Sequence, residues 1–187
     1  MALCDFIITQ DIKGYDCENP PVKGAESKGV LINRRDIDYA DEAPSSSPFL
    51  LNYVHGMTKC DTHGYAIYQS GKTPYAGTQQ EMVEGANANT ITNTLQIVVL
   101  RQDEDWAQQL FALMNGEFVA ILKNKDGSEQ VYGYEAGLHC TGAVRELYND
   151  DTLAGWQITF TEEGANKGNI FVPTGSIDVV LNGYECD

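Results

Sequence analysis

The sequence predicts a mainly β protein with one substantial helix, and three stretches carry that expectation. Residues 90–101 set Ile91, Leu95, Ile97 and Val99 on one side against Thr92, Thr94, Gln96 and Val98 on the other, the period-two pattern of a strand with one buried face. Residues 156–161 repeat it, with Trp156, Ile158 and Phe160 alternating against Gln157, Thr159 and Thr161. Between them lies the one clear helical period, Trp106, Leu110, Leu113 and Met114, whose spacing aligns them on a single face.

Taken in chain order, the first forty residues alternate short apolar pieces such as Phe6-Ile7-Ile8 with turn formers such as Asn19-Pro20-Pro21. Residues 30–33 read as a strand and 34–38 as its polar exit. Pro44, Ser45, Ser46, Ser47 and Pro48 then break any regular element. Residues 49–85 mix tyrosines with glycines and are expected to hold one or two twisted strands joined by a long excursion. Residues 39–89 as a whole read as a long loop or arm on a single domain spanning 1–187. After the strand at 90–101, Asp103, Glu104 and Asp105 supply a cap and negative charge where a helix begins, and Gly116 ends it. Residues 118–123 and 130–134 flank Asn124-Lys125-Asp126-Gly127 and predict a hairpin. A connection near Gly137 leads to the strand at 156–161, and residues 177–181 read as a further strand.

The composition narrows the function classes. At 187 residues the chain is long enough for a core without metal or disulfide staples, and 42% hydrophobic with 21% charged residues describes a globular protein. Twelve Lys and Arg against 27 Asp and Glu give a formal charge of −15, which excludes general nucleic-acid binding through a basic surface. The imbalance is greater in residues 94–187, with 5 basic and 15 acidic side chains. No apolar run approaches the roughly 18 residues of a membrane span. The opening Met1-Ala2-Leu3-Cys4-Asp5 lacks the basic start of a signal peptide, so the chain is expected to be made and assembled in a cytoplasm.

Catalytic chemistry finds little support. His55, His63 and His139 sit in no local context that identifies a nucleophile, and neither a Gly-x-Ser-x-Gly turn nor a phosphate-cradling loop is present. Cys4, Cys17, Cys60, Cys140 and Cys186 are an odd number at irregular spacing, so a disulfide framework is not expected and the thiols read as ordinary ones in a reducing compartment. Cys60, His63, His139 and Cys140 are the only set that could supply four zinc ligands, as a metal-assisted hydrolase would require. Asn124-x-Asp126-Gly127 resembles the middle of a calcium loop but lacks its closing Glu, and is read as a turn. The pairs Asp150-Asp151 and Glu162-Glu163 are expected to be solvated residues that shape a field rather than an acid–base couple.

The succession from residue 90 onward is particular. A long strand ends in Val98-Val99-Leu100-Arg101. An acid-capped helix is followed by Gly116-Glu117-Phe118-Val119-Ala120-Ile121-Leu122, then Val131-Tyr132-Gly133-Tyr134 and Ala154-Gly155-Trp156-Gln157-Ile158-Thr159-Phe160-Thr161. This resembles the tail-tube-like structural proteins of tailed bacteriophages, in particular those of gut phages including the crAss-like group. The likeness covers residues 90–163 and, in outline, 1–38. It implies a β-sandwich or small barrel with one flanking α-helix, without cofactor or active site. Its subunits would join edge to edge into a ring, hexameric or dodecameric, stacked with other tail or neck proteins above and below as a tube in the virion. DNA would pass through without specific binding. Residues 39–89 depart from the compact family pattern and are expected to form a docking segment.

On that reading the functional residues are interface residues. Phe49, Tyr53, Tyr65, Tyr68 and Tyr75 mark the contact arm, and Arg34, Arg35 or Arg145 would bridge to acids of a neighbour. Leu95, Ile97, Val99, Trp156, Ile158 and Phe160 mark the candidate sheet and lumen strands. Minus 15 per subunit suits a conduit that must not hold phosphate, and it requires association through backbone pairing and apolar contact. The alternative is a carbohydrate- or receptor-binding virion decoration or fibre module, in which the tyrosines would stack on sugars.

Overall fold

The computed structural model describes residues 24–185 apart from 70, 72, 87, 101–103 and 146–154. The apolar piece at 6–8, Cys4, Cys17 and Cys186, the cap Asp103, Arg101 and the pair Asp150-Asp151 lie outside the described residues. The fold is mainly β. Among the described residues nine strands form one antiparallel sheet: β1 (Ala25–Asn33), β2 (Tyr65–Tyr68), β3 (Gln79–Val83), β4 (Thr90–Val99), β5 (Glu117–Asn124), β6 (Glu129–Tyr132), β7 (Leu138–Arg145), β8 (Trp156–Ala165) and β9 (Ile170–Val172). Two α-helices accompany them there, α1 (Glu104–Asn115) and α2 (Ser176–Asn182).

The sheet divides at β5. Its main path runs β2-β1-β5-β7-β8-β4-β3, while β6 pairs with the remainder of β5 and carries β9 beyond it. Consecutive side chains of β5 therefore enter two different cores. Val119 and Ile121 join Val30, Ile32, Val131, Ile170 and Val172 on one face, where Ile37 just before the long segment, Leu51 and Met57 within it, and Ile177 and Val180 of α2 cover them. Phe118, Ala120 and Leu122 join Leu95, Ile97, Leu138, Ile158 and Phe160 on the other, where Leu110 and Leu113 of α1 pack. Phe118 and Phe160 meet edge to face with centroids 5.7 Å apart, a geometry worth about 1 kcal/mol beyond the area it buries. The uninterrupted apolar run from Phe118 to Leu122 is thus the mark of a strand buried on both faces.

The strand expected at 177–181 is helix α2. Its β-branched residues favour a strand by propensity, yet Ile177 and Val180 are buried at a spacing of three, as one helix face requires. A carboxylate from another element fixes the helix start: Glu129 of β6, itself 3% exposed, accepts the backbone N–H groups of Gly175 at 2.8 Å and Ile177 at 3.0 Å. Those are the donors a helix leaves without intrahelical partners. Tertiary hydrogen bonding outweighs propensity here.

Glu162, expected among the solvated acids, is 1% exposed. Its carboxylate accepts N–H bonds from Gly133 (2.9 Å), Glu135 (3.0 Å) and Ala136 (2.7 Å), and from the Asn93 side-chain amide (2.6 Å). Asn93 in turn accepts from Gln80, Gln80 from Gln130, and Gln130 also donates to Asn169. A polar chain, buried at Glu162 and Asn93 and half-buried at Gln80, therefore links β8, β4, β3 and β6 to the crossover at 133–137. Gly133 sits at that crossover with φ +82°, where a Cβ would lie 2.6 Å from Leu138 Cγ and 2.8 Å from the Phe118 carbonyl oxygen, so both space and backbone demand glycine.

Removing the carboxylate leaves the buried Gly133 N–H and the half-buried Glu135 and Ala136 N–H groups without their acceptor, a loss of about 1–3 kcal/mol for each buried group. Glu162→Ala should therefore lower the unfolding free energy by about 3 kcal/mol or more in urea titration, whereas Glu163→Ala, at an exposed position, should lie within about 0.5 kcal/mol of wild type.

Candidate assembly surface

A sheet that does not close must manage its edges. On β9 the edge is covered by residues 49–51: the Phe171 N–H donates to the Phe49 carbonyl and the Leu51 N–H to the Phe171 carbonyl, both at 2.8 Å. Pro48, which has no N–H to offer, precedes that segment. β2 is four residues long and flanked by occupied groups, the Gly64 N–H donating to the Val180 carbonyl at 2.9 Å and the Tyr68 carbonyl accepting from Gln69 Nε2 at 3.1 Å.

β3 is different. It pairs with β4 over residues 90–94 on one side, and on its other side the backbone of residues 79–83 has no hydrogen-bond partner among the described residues. Met82 and Val83 are 61% and 45% exposed. Gln80 points inward to the polar chain and ties the strand to the core. A strand of five residues with an open backbone edge and exposed apolar side chains can accept another strand.

A second feature is the outward face of β4 and β8. Thr94 lies opposite Thr161, Gln96 opposite Thr159 and Val98 opposite Gln157. Thr141 of β7 continues the face, its hydroxyl 2.8 Å from that of Thr161. None of these side chains is charged.

The interface residues expected from sequence fall into distinct settings. Leu95, Ile97, Ile158 and Phe160 are at most 2% exposed, and Val99 and Trp156 pack against the same cluster; what β4 and β8 can offer another chain is their Thr/Gln face. Arg34 is engaged within the chain, Nη1 lying 3.1 Å from Glu117 and Nη2 donating to the Glu135 carbonyl at 2.9 Å. Arg35 is exposed, with Nε 3.5 Å from Asp36. Tyr53 bonds the Tyr134 hydroxyl at 2.6 Å, and Tyr134 donates to Glu42. Burial, first, and then these hydrogen bonds push the Tyr134 hydroxyl well above its usual range. Tyr75 is 5% exposed and donates to the Ser27 and Ile67 carbonyls.

Phe49, Tyr65 and Tyr68 are exposed. Tyr65 is opposite Leu31 and Tyr68 opposite Lys28 on β1, so the two rings leave opposite faces of the sheet and form no common platform. Much of the segment at 39–89 is packed onto the body, through Leu51, Met57 and Tyr75. The open edge of β3 was not singled out by sequence, where Gln79 to Val83 shows neither alternation nor a flanking turn pair.

The potential zinc set is not assembled. Cys60 is disulfide-bonded, contrary to the expectation of free thiols, and a sulfur in a disulfide offers no thiolate. Its partner is not among the described residues, where the other cysteine, Cys140, is free. His139 is exposed on β7, and His63 packs against the Tyr65 ring at 5.1 Å. His55 stacks on Tyr184 at 4.5 Å and places Nδ1 2.9 Å from Asp41 Oδ1. No helix among the described residues is long and apolar enough to cross a membrane. Compared with protein-family models, curated proteins and solved structures, the chain matches none.

Burial would raise the Asp41 carboxyl, but hydrogen bonds from the His55 backbone and ring, with the His55 charge, outweigh it and hold Asp41 below the usual carboxylate range. With a depressed folded pKa, the stabilising contribution is full above the unfolded value of about 3.9 and is lost as pH falls through the folded one. An NMR titration should place Asp41 below a peptide carboxylate, and Asp41→Asn should flatten the stability slope below pH 4; an unchanged slope would show that the pair does not couple to folding.

Proposed function

We propose that the chain is a structural subunit of a bacteriophage tail or neck, self-assembling into rings stacked as a tube that conducts DNA. The open edge of β3 is the observation that carries this reading: a backbone able to take a further strand, with Met82 and Val83 beside it, on a chain whose −15 charge disfavours association by ion pairing. A ring needs an edge of this kind to receive a different surface of the next copy. The uncharged Thr/Gln face of β4 and β8 adds support, since a wall facing DNA should present few cations to phosphate. The sequence resemblance from residue 90 onward points the same way. The carbohydrate-binding alternative has less to rest on, because Tyr53 and Tyr75 are committed to internal hydrogen bonds and Tyr65 and Tyr68 diverge.

Light scattering on concentrated protein should give a mass several times that of one chain, held or increased as salt screens the like charges. Met82→Lys with Val83→Lys, placing charge on the edge, should reduce association at least tenfold while circular dichroism stays unchanged. A wild-type assembly that dissolves with salt, or one indifferent to both lysines, would sink the reading.

A further inference from the structure

β4 is ten residues long, and β3 covers only the half from residue 90 to 94. Along residues 95–99 no strand among the described residues lies on the same side of β4, yet its backbone is occupied. The Gln96 N–H donates to Thr78 Oγ1 at 3.2 Å. The Val98 N–H donates to Gln69 Oε1 at 2.8 Å, and the Val98 carbonyl accepts from Gln69 Nε2 at 3.0 Å. The Gln69 amide thus meets both backbone groups of one residue as a neighbouring strand would, and Thr78 meets the next outward N–H two residues away.

The backbone that presents these side chains is fixed in place. Tyr75, at φ +56°, buries its ring in the core and ends on the Ser27 and Ile67 carbonyls. The Thr78 N–H closes a turn on the Tyr75 carbonyl at 3.0 Å. Gly77, at φ +90°, lies so close to β4 that a Cβ there would fall 1.8 Å from Gln96 Oε1. A chain that continued β3 backward through these residues would have covered β4 with a strand; it turns away instead, and side chains take over the pairing.

We propose that Gln69 and Thr78 form an edge guard, which closes the second half of β4 to strand addition by another copy and directs that addition to β3. The inference rests on the edge-assembly reading only in taking a second copy as the partner. Three backbone groups that would template a foreign strand are spent on side chains within the chain. The guard also explains a composition that burial alone does not, an amide and a hydroxyl where apolar residues would pack but leave Gln96 and Val98 unsatisfied.

The test compares Gln69→Met, which keeps size and loses the amide, and Thr78→Val, which keeps shape and loses the hydroxyl, singly and together. Hydrogen exchange should show the Val98 amide about tenfold faster in Gln69→Met, as loss of such a bond implies. The double variant should associate at concentrations where wild type keeps its mass distribution, and the β3 lysines should not suppress that new association. Unchanged Val98 exchange, or a double variant that associates as wild type does, would overturn the guard while leaving the β3 reading intact. If the double variant fails to fold, the Gln69→Met exchange and mass measurements decide alone. New association that the β3 lysines abolish would place it on β3 and equally reject the guard.

Discussion

The fold depends on one buried carboxylate. At the 133–137 crossover the chain leaves β6 and enters β7, both of which pair with β5. A sharp crossover directs several N–H groups inward where no strand can meet them, and Glu162 accepts three of them together with the Asn93 amide. A buried anion is costly unless its lone pairs are met; here four donors meet it, and the result ties β8 and β4 to the point where the sheet divides. Gln80 and Gln130 extend the same chain to β3 and β6. The edge strand β3 is consequently anchored from within, while its outer backbone meets no partner among the described residues.

That arrangement separates two demands. The inner side of each strand serves the core, and its edge is either satisfied internally or left open. β9 is covered by main chain and the second half of β4 by side chains. Only satisfied edges are safe in a concentrated solution of copies, so on the proposed reading an edge open among the described residues, beside closed ones, would give association a direction. The charge would act over a longer range, since at −15 copies repel one another at a distance.

Much of the fold was legible because period-two patterns survive in strands with one buried face. β4 and β8 stand where Leu95, Ile97, Ile158 and Phe160 placed them, and α1 where Leu110 and Leu113 did. Glu162 is legible in the same terms, against the expectation that its charge keeps it in solvent: it continues the parity of Ile158 and Phe160, as Asn93 continues that of Leu95 and Ile97, and parity puts both inside. α2 was hidden because its β-branched residues favour a strand while its cap, Glu129, comes from 47 residues before the helix start at Ser176. The spacing of Ile177, Val180 and Leu181 was the available signal. The edges were not legible, since whether a backbone group is paired depends on which distant segment lies beside it, and neither Gln69 nor Thr78 announces a strand it replaces.

The proposed assembly of an acidic β subunit through the edge of β3 is tested most directly by negative-stain electron microscopy of concentrated wild-type protein. Rings of uniform diameter with a central hole, or stacked tubes of such rings, are the expected image. Single particles of one-chain size at every concentration and salt, or irregular aggregates without a hole, would contradict it.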